Sequence, residues 1–314
     1  MKFSVGLPKV CDSFVSYIEE NAAHIHEVYF SWGDFSSGRS AQTVCCDHTP
    51  WELVDMQRQA LEKISSKGIR LNLLFNANCY GAESLSKDFY GRVGDTIYYV
   101  GEKFGLSSVT TTSPMIARFI KKNFENLEVR ASVNMEIGSV EGMEYLCDVF
   151  DGFYMKRELN RDFDAIKKLH AWTFSNGKKL YMLANSGCLN FCSAHIFHDN
   201  LVAHEAEIAK MDNAYRFEGV CRNFLKNEEN LKKLPEYTNF VRPDDIDKYE
   251  PYFVSAKLAT RVHKNPQLVL SSYINRKYSG DLLRLLEPEH SIYPYALENG
   301  DPIKLVKIND SMIY

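Results

Sequence analysis

The stretch from Glu128 to Lys156 reads "EVRASVNMEIGSVEGMEYLCDVFDGFYMK" and shows how this chain is organised. A short β-rich apolar run stands at each end, and an amphipathic stretch from Ser139 to Phe150 lies between them. Continuous apolar character suits strands that are buried on both faces, as in a parallel sheet. The stretch therefore predicts one β–α–β unit.

The same alternation extends through most of the chain. Strands are predicted at "KFSVGL" (2–7), "EVYFSW" (27–32), "RLNLLFN" (70–76), "SSVTTTS" (107–113), "EVRASVN" (128–134), "DGFYMK" (151–156), "KLYMLAN" (179–185) and "TNFVRP" (238–243). Eight such units favour a (β/α)8 TIM-like barrel, and no GxGxxG motif follows the first strand to favour an open doubly wound sheet. We predict an α/β barrel over residues 1–241 and a C-terminal extension over 242–314 that packs on it.

Two of the predicted helices carry clear start signals. "TPWE" from Thr49 to Glu52 is a capping box with proline at the first helical position, and Gly68 is placed to end that helix. Ser113 followed by Pro114 starts another helix in the same way.

Composition limits the classes of partner. The 314 residues include 37 basic and 41 acidic side chains, a net charge of −4, and no long basic run, so nothing favours nucleic acid or an anionic membrane. The N-terminus "MKFSVGLPKV" lacks the apolar stretch of a signal peptide, and no run approaches membrane-spanning length. A cytoplasmic location is expected, and the eight cysteines are then core residues or ligands, not disulfides.

Thiols and imidazoles concentrate after the seventh predicted strand. "NSGCLNFCSAHIFHDN" (185–200) contains Cys188, Cys192, His195 and His198, and Cys221 follows on the same long connection. Chemistry in a barrel of this kind belongs to the loops after the strands, and thiolates select zinc, copper(I) or iron–sulfur clusters. Spacing alone leaves zinc and iron–sulfur equally open.

The other cysteines divide into two groups. Cys45, Cys46 and Cys79 follow the second and third predicted strands and could add a ligand. Cys147 shares an apolar helical stripe with Met143 and is predicted to be a core residue, and Cys11 is predicted to be structural.

An ordered set of segments resembles the peptidase U32 family, the so-called collagenase-like proteins. The set is "LEVRASVNMEIGSVEGMEYL", "FYMKRELNRDFDAI", "LANSGCLNFCSAHIFHDN" and "FVRPDDIDKYEPYFVSAKLATR", and the similarity extends from about Arg70 to Gly280. The resemblance implies a TIM-like barrel that holds an oxygen-sensitive [4Fe-4S] cluster on cysteines. It also implies oxygen-independent hydroxylation in some relatives, proteolysis as first described in others, and subunit pairs in which one member is not catalytic.

The ligand hypothesis follows from the thiols and the resemblance together. We expect Cys188, Cys192 and Cys221 to hold a [4Fe-4S] cluster, with His195 or His198 as fourth ligand or as a nearby acid or base. The fourth position could also belong to one of the other loop cysteines or stay open for substrate.

Arginines at predicted strand ends suggest an anionic substrate. Arg157 and Arg161 follow the sixth strand and Arg242 the eighth, and a guanidinium binds carboxylate or phosphate through two parallel hydrogen bonds. Arg157 is the first choice, and a surface ion pair or a helix cap is the alternative for all three. Further candidates at the mouth of the barrel are Asn76, Asn78, Asn134 and the possible catalytic carboxylate Glu136, together with Lys257 and Arg261, which resemble the family's Lys–Arg signature.

These expectations define one main function and two alternatives. The main one is an iron–sulfur enzyme that performs oxygen-independent hydroxylation, or a related redox step, on a small anionic substrate. A zinc-dependent hydrolase is the first alternative, although the chain has no HExxH motif and no GxSxG motif. A cluster-binding, non-catalytic partner subunit is the second, and both a homo-oligomer and a pair with a related subunit stay open.

Overall fold

The computed structural model describes residues 1–8, 12–38, 48–208, 210–212, 219–288, 295–298 and 301–304. Within these ranges, parallel strands close a barrel in chain order, from β1 through β8 and back to β1. The strands are β1 (Phe3–Gly6), β2 (Ile25–Phe30), β3 (Arg70–Phe75), β4 (Leu106–Thr111), β5 (Glu128–Ala131), β6 (Gly152–Tyr154), β7 (Lys179–Leu183) and β8 (Ala256–Leu258). The predicted (β/α)8 fold is confirmed. A separate antiparallel pair, β9 (Tyr295–Glu298) and β10 (Asp301–Lys304), follows the barrel.

Helices alternate with the strands and become short after β7. They are α1 (Asp12–Glu20), α2 (Pro50–Ser66), α3 (Lys87–Phe104), α4 (Pro114–Asn123), α5 (Val140–Glu144), α6 (Phe163–Ser175), α7 (His195–Ala203), α8 (Glu205–Ile208), α9 (Val220–Phe224), α10 (Glu228–Lys232), α11 (Leu234–Tyr237) and α12 (Pro266–Ile274). Short 3-10 helices occupy Ala22–His24, Ala82–Leu85, Val133–Met135, Arg157–Leu159, Pro243–Tyr249 and Leu282–Leu285. None of the helices described has both the length and the apolar composition needed to cross a membrane.

Capping hydrogen bonds confirm both predicted helix starts. The Thr49 hydroxyl accepts a hydrogen bond from the Glu52 backbone N–H, and the Glu52 carboxylate accepts one from the Thr49 N–H. The Ser113 hydroxyl accepts from the Ile116 N–H. Gly68 follows α2 with φ +72°, a left-handed conformation that glycine adopts without a steric penalty.

The eighth strand was predicted in the wrong place. Residues 238–241 are buried but form no strand. Thr238 makes an isolated bridge, and the backbone N–H groups of Asn239 and Val241 donate to the Cys188 and Ala184 carbonyls. The strand that closes the barrel is β8, which pairs with both β1 and β7. It has three residues with Lys257 at its centre, too short and too polar to produce a strand pattern. The barrel therefore continues past residue 241, at least to Leu258.

Cys147 is exposed, so its predicted core position is wrong. The prediction needed a helix that continued to Phe150, whereas α5 ends at Glu144 and turns follow it. Met143 and Phe150 still pack into the core, but the turns direct Cys147 towards solvent.

Charged and polar side chains fill part of the barrel interior. Arg130 on β5 is fully buried and its Nη1 lies 2.6 and 2.7 Å from the two carboxylate oxygens of Glu27 on β2. Its Nε donates to Glu128 Oε1 at 2.6 Å, and its guanidinium lies 4.3 Å from the centre of the Tyr181 ring. Asn72 on β3 donates a further hydrogen bond to Glu27. These ion pairs and hydrogen bonds form a buried network inside the barrel.

Candidate functional site

The three predicted thiol ligands come from two separate segments and lie near one another. Cys188 and Cys192 occupy the loop between β7 and α7, and Cys221 lies on α9; all three are half-buried. Burial raises the pKa of the Cys221 thiol, and the charges of Cys188 and Cys192 raise it further, so the three groups are electrostatic neighbours. The backbone carbonyl of Cys188 accepts from the Asn239 N–H, which attaches this loop to the segment before β8.

Arg157 lies between the thiols and the barrel mouth. It follows β6, is 3% exposed, and its Nη1 donates to Cys188 Sγ at 3.4 Å. Its Nη2 donates to Asn134 Oδ1 at 3.3 Å and lies 3.6 Å from Glu136 Oε1. One guanidinium thus connects a candidate metal ligand with two polar residues that follow β5. It also brings a positive charge that can offset negative charge on the thiols.

His195 begins α7 and lies between two carboxylates. Its Nδ1 is 3.4 Å from Glu136 Oε1, and its Nε2 is 3.3 Å from Asp199 Oδ2, one helical turn further along α7. Asn78 donates to the same Asp199 oxygen at 3.5 Å. Each ring nitrogen thus lies within ion-pair distance of one carboxylate.

Glu136 has an unusual position and an unusual acidity. Its backbone has φ +55°, the left-handed region that a side chain rarely adopts, and this conformation ends the 3-10 turn after β5. Burial raises the pKa of Glu136 to about 6; Arg157 opposes the rise, and Glu158 and Asp199 add to it. A carboxyl group with that pKa can gain or lose a proton near neutral pH.

A second candidate metal centre adjoins the thiols. The ligand atoms of Glu136, Glu158 and His195 all lie within 4.8 Å of one another, and among the residues that the structure describes they are the one such group of His, Cys, Asp and Glu. Two carboxylates and an imidazole suit zinc, manganese or iron(II). Asp199 on the far nitrogen of His195 would orient that ring, as a carboxylate commonly does behind a metal-bound histidine. Nothing in the spacing of Glu158 in the sequence indicates a ligand, so it was not predicted as one.

Three cations line one pocket at the mouth of the barrel. Arg157, Lys257 and Arg261 share it with Asn76 and Asn134, and the space measures about 570 Å³ including the part open to solvent. The remaining lining residues are Tyr29, Gly38, Leu74, Val133, Leu183, Asp199, Ala259, Val262 and Glu287. Most of the predicted mouth residues are therefore brought together. Convergent guanidinium and ammonium groups over an apolar lining suit a small anion.

Lys257 is the one ammonium group among these three cations, and it is buried. It is 7% exposed, and its Nζ lies 4.1 Å from the centre of the Tyr29 ring and 5.3 Å from that of Tyr154. Burial lowers the pKa of Lys257, and the neighbouring Arg261 lowers it further, to about 7. Arg130 and Arg157 act in the same direction and Glu27 opposes them. A large share of this amine is then neutral at physiological pH.

Arg161 and Arg242 are not part of this pocket. They line a separate groove together with Asp245 and Tyr249. Arg161 is exposed, and its Nη2 donates to the Phe240 carbonyl at 2.8 Å. Both arginines were expected near strand ends at the mouth. The misplaced eighth strand explains the error for Arg242, which precedes the 3-10 turn at Pro243–Tyr249.

The other predicted ligand candidates include His198 and Cys79. His198 is half-buried on α7 and is not one of the three ligand residues around Glu136. A hydrogen bond from the Gly81 N–H lowers the pKa of the Cys79 thiol, and a hydrogen bond with His204 lowers it further. His204 Nδ1 lies 3.1 Å from Glu207 Oε2. Cys11, Cys45 and Cys46 lie outside the described residues.

Comparisons with known proteins define the fold. A U32 peptidase, Mk0906, superposes with a TM-score of 0.52 at 16% identity over 69% of this chain and 82% of its own. A glycerophosphodiester phosphodiesterase from Parabacteroides distasonis gives 0.39 at 10% identity over 58% and 84%. The muconate lactonizing enzyme of Pseudomonas putida gives 0.39 at 12% identity over 63% and 51%. No protein-family model matches the sequence, and no curated protein matches it. The superposition on Mk0906 shows that the TIM-barrel fold of this chain is similar to that of a U32 peptidase.

Proposed function

We propose that this chain is an iron–sulfur enzyme of the U32 type, which performs oxygen-independent hydroxylation or a related redox step on a small anionic substrate. The observation that carries the proposal is the contact of Cys188 with Arg157, which also lines the cationic pocket, together with the electrostatic effect of Cys188 and Cys192 on Cys221. A redox group on the thiols and an anion in the pocket would then be neighbours.

The donor set suits a cluster better than a single ion. A tetrahedral zinc with Zn–S bonds of about 2.3 Å places its sulfurs about 3.8 Å apart. Among the described residues, the three cysteine sulfurs do not form a group within 4.8 Å of one another. A [4Fe-4S] cluster places each thiolate on a different iron and accepts a wider spacing, and when bound it would supply one-electron redox chemistry.

The protein residues have separate tasks in this proposal. Arg157 and Arg261 bind the anionic end of the substrate, and Asn76 and Asn134 hydrogen-bond its polar edge. Glu136 and His195, 3.4 Å apart and in contact with the lining residues Arg157 and Asp199, hold or move a proton. The apolar lining from Leu74, Val133 and Leu183 excludes water, which strengthens each of these interactions.

A second candidate function has its own observation. The Glu136, Glu158 and His195 group supports a divalent-metal hydrolase: these three side chains would hold the ion, which would supply Lewis-acid chemistry for hydrolysis. In that case the thiols would be accessory, and Asp199 would support the histidine ligand.

Metal analysis of the full chain after strictly anaerobic purification separates the two functions. We expect about four iron and about four acid-labile sulfide per chain, with a brown colour that oxygen bleaches. One zinc or manganese per chain with no labile sulfide would contradict the iron–sulfur function and support the hydrolase.

A further inference from the structure

Lys257 has the surroundings of a reactive amine. Its side chain is buried against the rings of Tyr29 and Tyr154, and in the described part of the chain no carboxylate forms an ion pair with its Nζ. Tyrosine ring faces attract a cation but offer far less than a carboxylate partner would. An ammonium group in this place loses hydration without gaining an anion, which favours the neutral amine.

The groups beside Lys257 indicate what kind of molecule could bind next to its amine. Arg157 and Arg261 line the same pocket, so an anion bound there would lie next to the amine. The neighbouring cations also disfavour a proton on Nζ, a device known from enzymes whose lysine attacks carbonyl carbon. The pocket thus combines two guanidinium groups, which suit a carboxylate, with a buried amine.

We propose that Lys257 forms an imine with the carbonyl group of a small 2-oxo acid whose carboxylate is bound by Arg157 and Arg261. The Nζ lone pair forms a bond to the carbonyl carbon, and the carbonyl oxygen leaves as water after taking up two protons. The nitrogen loses its two protons and the product is a C=N bond, so no electrons are exchanged and no co-reactant is needed. The step involves neither the thiols nor a metal, so it stands or fails independently of the iron–sulfur proposal.

Reductive trapping tests the imine directly. The full-length protein is incubated separately with glyoxylate, pyruvate and 2-oxoglutarate in the presence of sodium cyanoborohydride, and intact mass and peptide mapping locate the adduct. We expect one added group per chain, on Lys257, for at least one of the three acids. Because the adduct is mapped on the wild-type protein, the result does not depend on how any variant folds.

Three variants and a pH series sharpen the test. Lys257→Arg should abolish the adduct, while Lys277→Arg, a change at an exposed lysine, should leave it intact. Arg261→Met should raise the half-saturating acid concentration by about tenfold, the effect of losing one charged hydrogen-bonding partner. Because burial and the charges of Arg261, Arg130 and Arg157 outweigh Glu27 at Lys257, trapping should rise through pH 7 and then level off, whereas surface lysines gain reactivity up to about pH 10.

The following results would overturn the proposal. An adduct spread over surface lysines, an adduct that persists in the folded Lys257→Arg protein, or no adduct with any of the three acids at millimolar concentration would each exclude Lys257 as the reacting amine. Failure of trapping together with full iron and sulfide content would remove this proposal and leave the proposed function intact.

Discussion

Replacing Arg130 with alanine is expected to lower the free energy of unfolding by about 3–5 kcal/mol, the usual cost of removing one partner from a buried ion pair. The side chains of Arg130 and Glu27 are both fully buried, and Nη1 lies 2.6 Å from Glu27 Oε1. Glu128 Oε1 lies 2.6 Å from Nε of the same guanidinium. Alanine would leave one carboxylate in the barrel interior without its cation and deprive a second of its closest one. Urea unfolding monitored by circular dichroism gives the free energy.

Two controls show whether the effect arises from the unpaired charge. The double variant Glu27→Gln/Arg130→Met should lose less than the sum of its single changes, because it leaves no charge buried alone at Glu27. Arg118→Ala removes an exposed arginine 3.8 Å from Asp148 and should change stability by less than about 0.5 kcal/mol. A loss below about 1 kcal/mol for Arg130→Ala would show that the buried network does not stabilise the barrel.

Replacing Cys188 with serine is expected to remove most of the bound iron, with at least a tenfold drop in iron and sulfide per chain after anaerobic purification. Serine keeps the size of the side chain but replaces the thiolate, which iron–sulfur clusters require, with a hydroxyl. Cys192→Ser and Cys221→Ser should behave alike, since a cluster that lacks one thiolate ligand is lost more readily from the protein. The prediction depends on the proposed function.

Cys147→Ser is the matched control for these variants. Cys147 is exposed and follows α5, on a different segment from the three candidate ligands. Its change should leave iron and sulfide at the wild-type level. Full iron in the Cys188→Ser protein would show that Cys188 is not a ligand, and equal losses in all four variants would indicate a general effect of the mutations on folding.

The barrel could be predicted because most of its strands follow local rules. Seven of the eight have apolar runs and are separated by helices with recognisable starts, such as Thr49 and Ser113. The strand at Ala256–Leu258 does not show this pattern, because it is short and its central residue is a lysine. Its place is fixed by closure of the barrel against β1 and β7, a long-range condition that no window of sequence contains.

Parts of the candidate site could be predicted for the same reason. Residues directly after strands, such as Asn76, Asn134, Glu136 and Arg157, do meet at the mouth, because parallel strands in a barrel place their ends together. The Glu27–Arg130 pair could not be predicted, since the two residues are 103 positions apart in sequence and only the barrel brings them together. The same is true of Glu158, which becomes a candidate ligand only when α7 places His195 beside it.

The most direct test of the central claim, that thiolates from two segments share an iron–sulfur cluster at the barrel mouth, is anomalous diffraction from anaerobically grown crystals at the iron and zinc absorption edges. The account predicts an iron peak bounded by the sulfur atoms of Cys188, Cys192 and Cys221. A peak at the zinc edge alone, or a metal bound only by Glu136, Glu158 and His195, would contradict it.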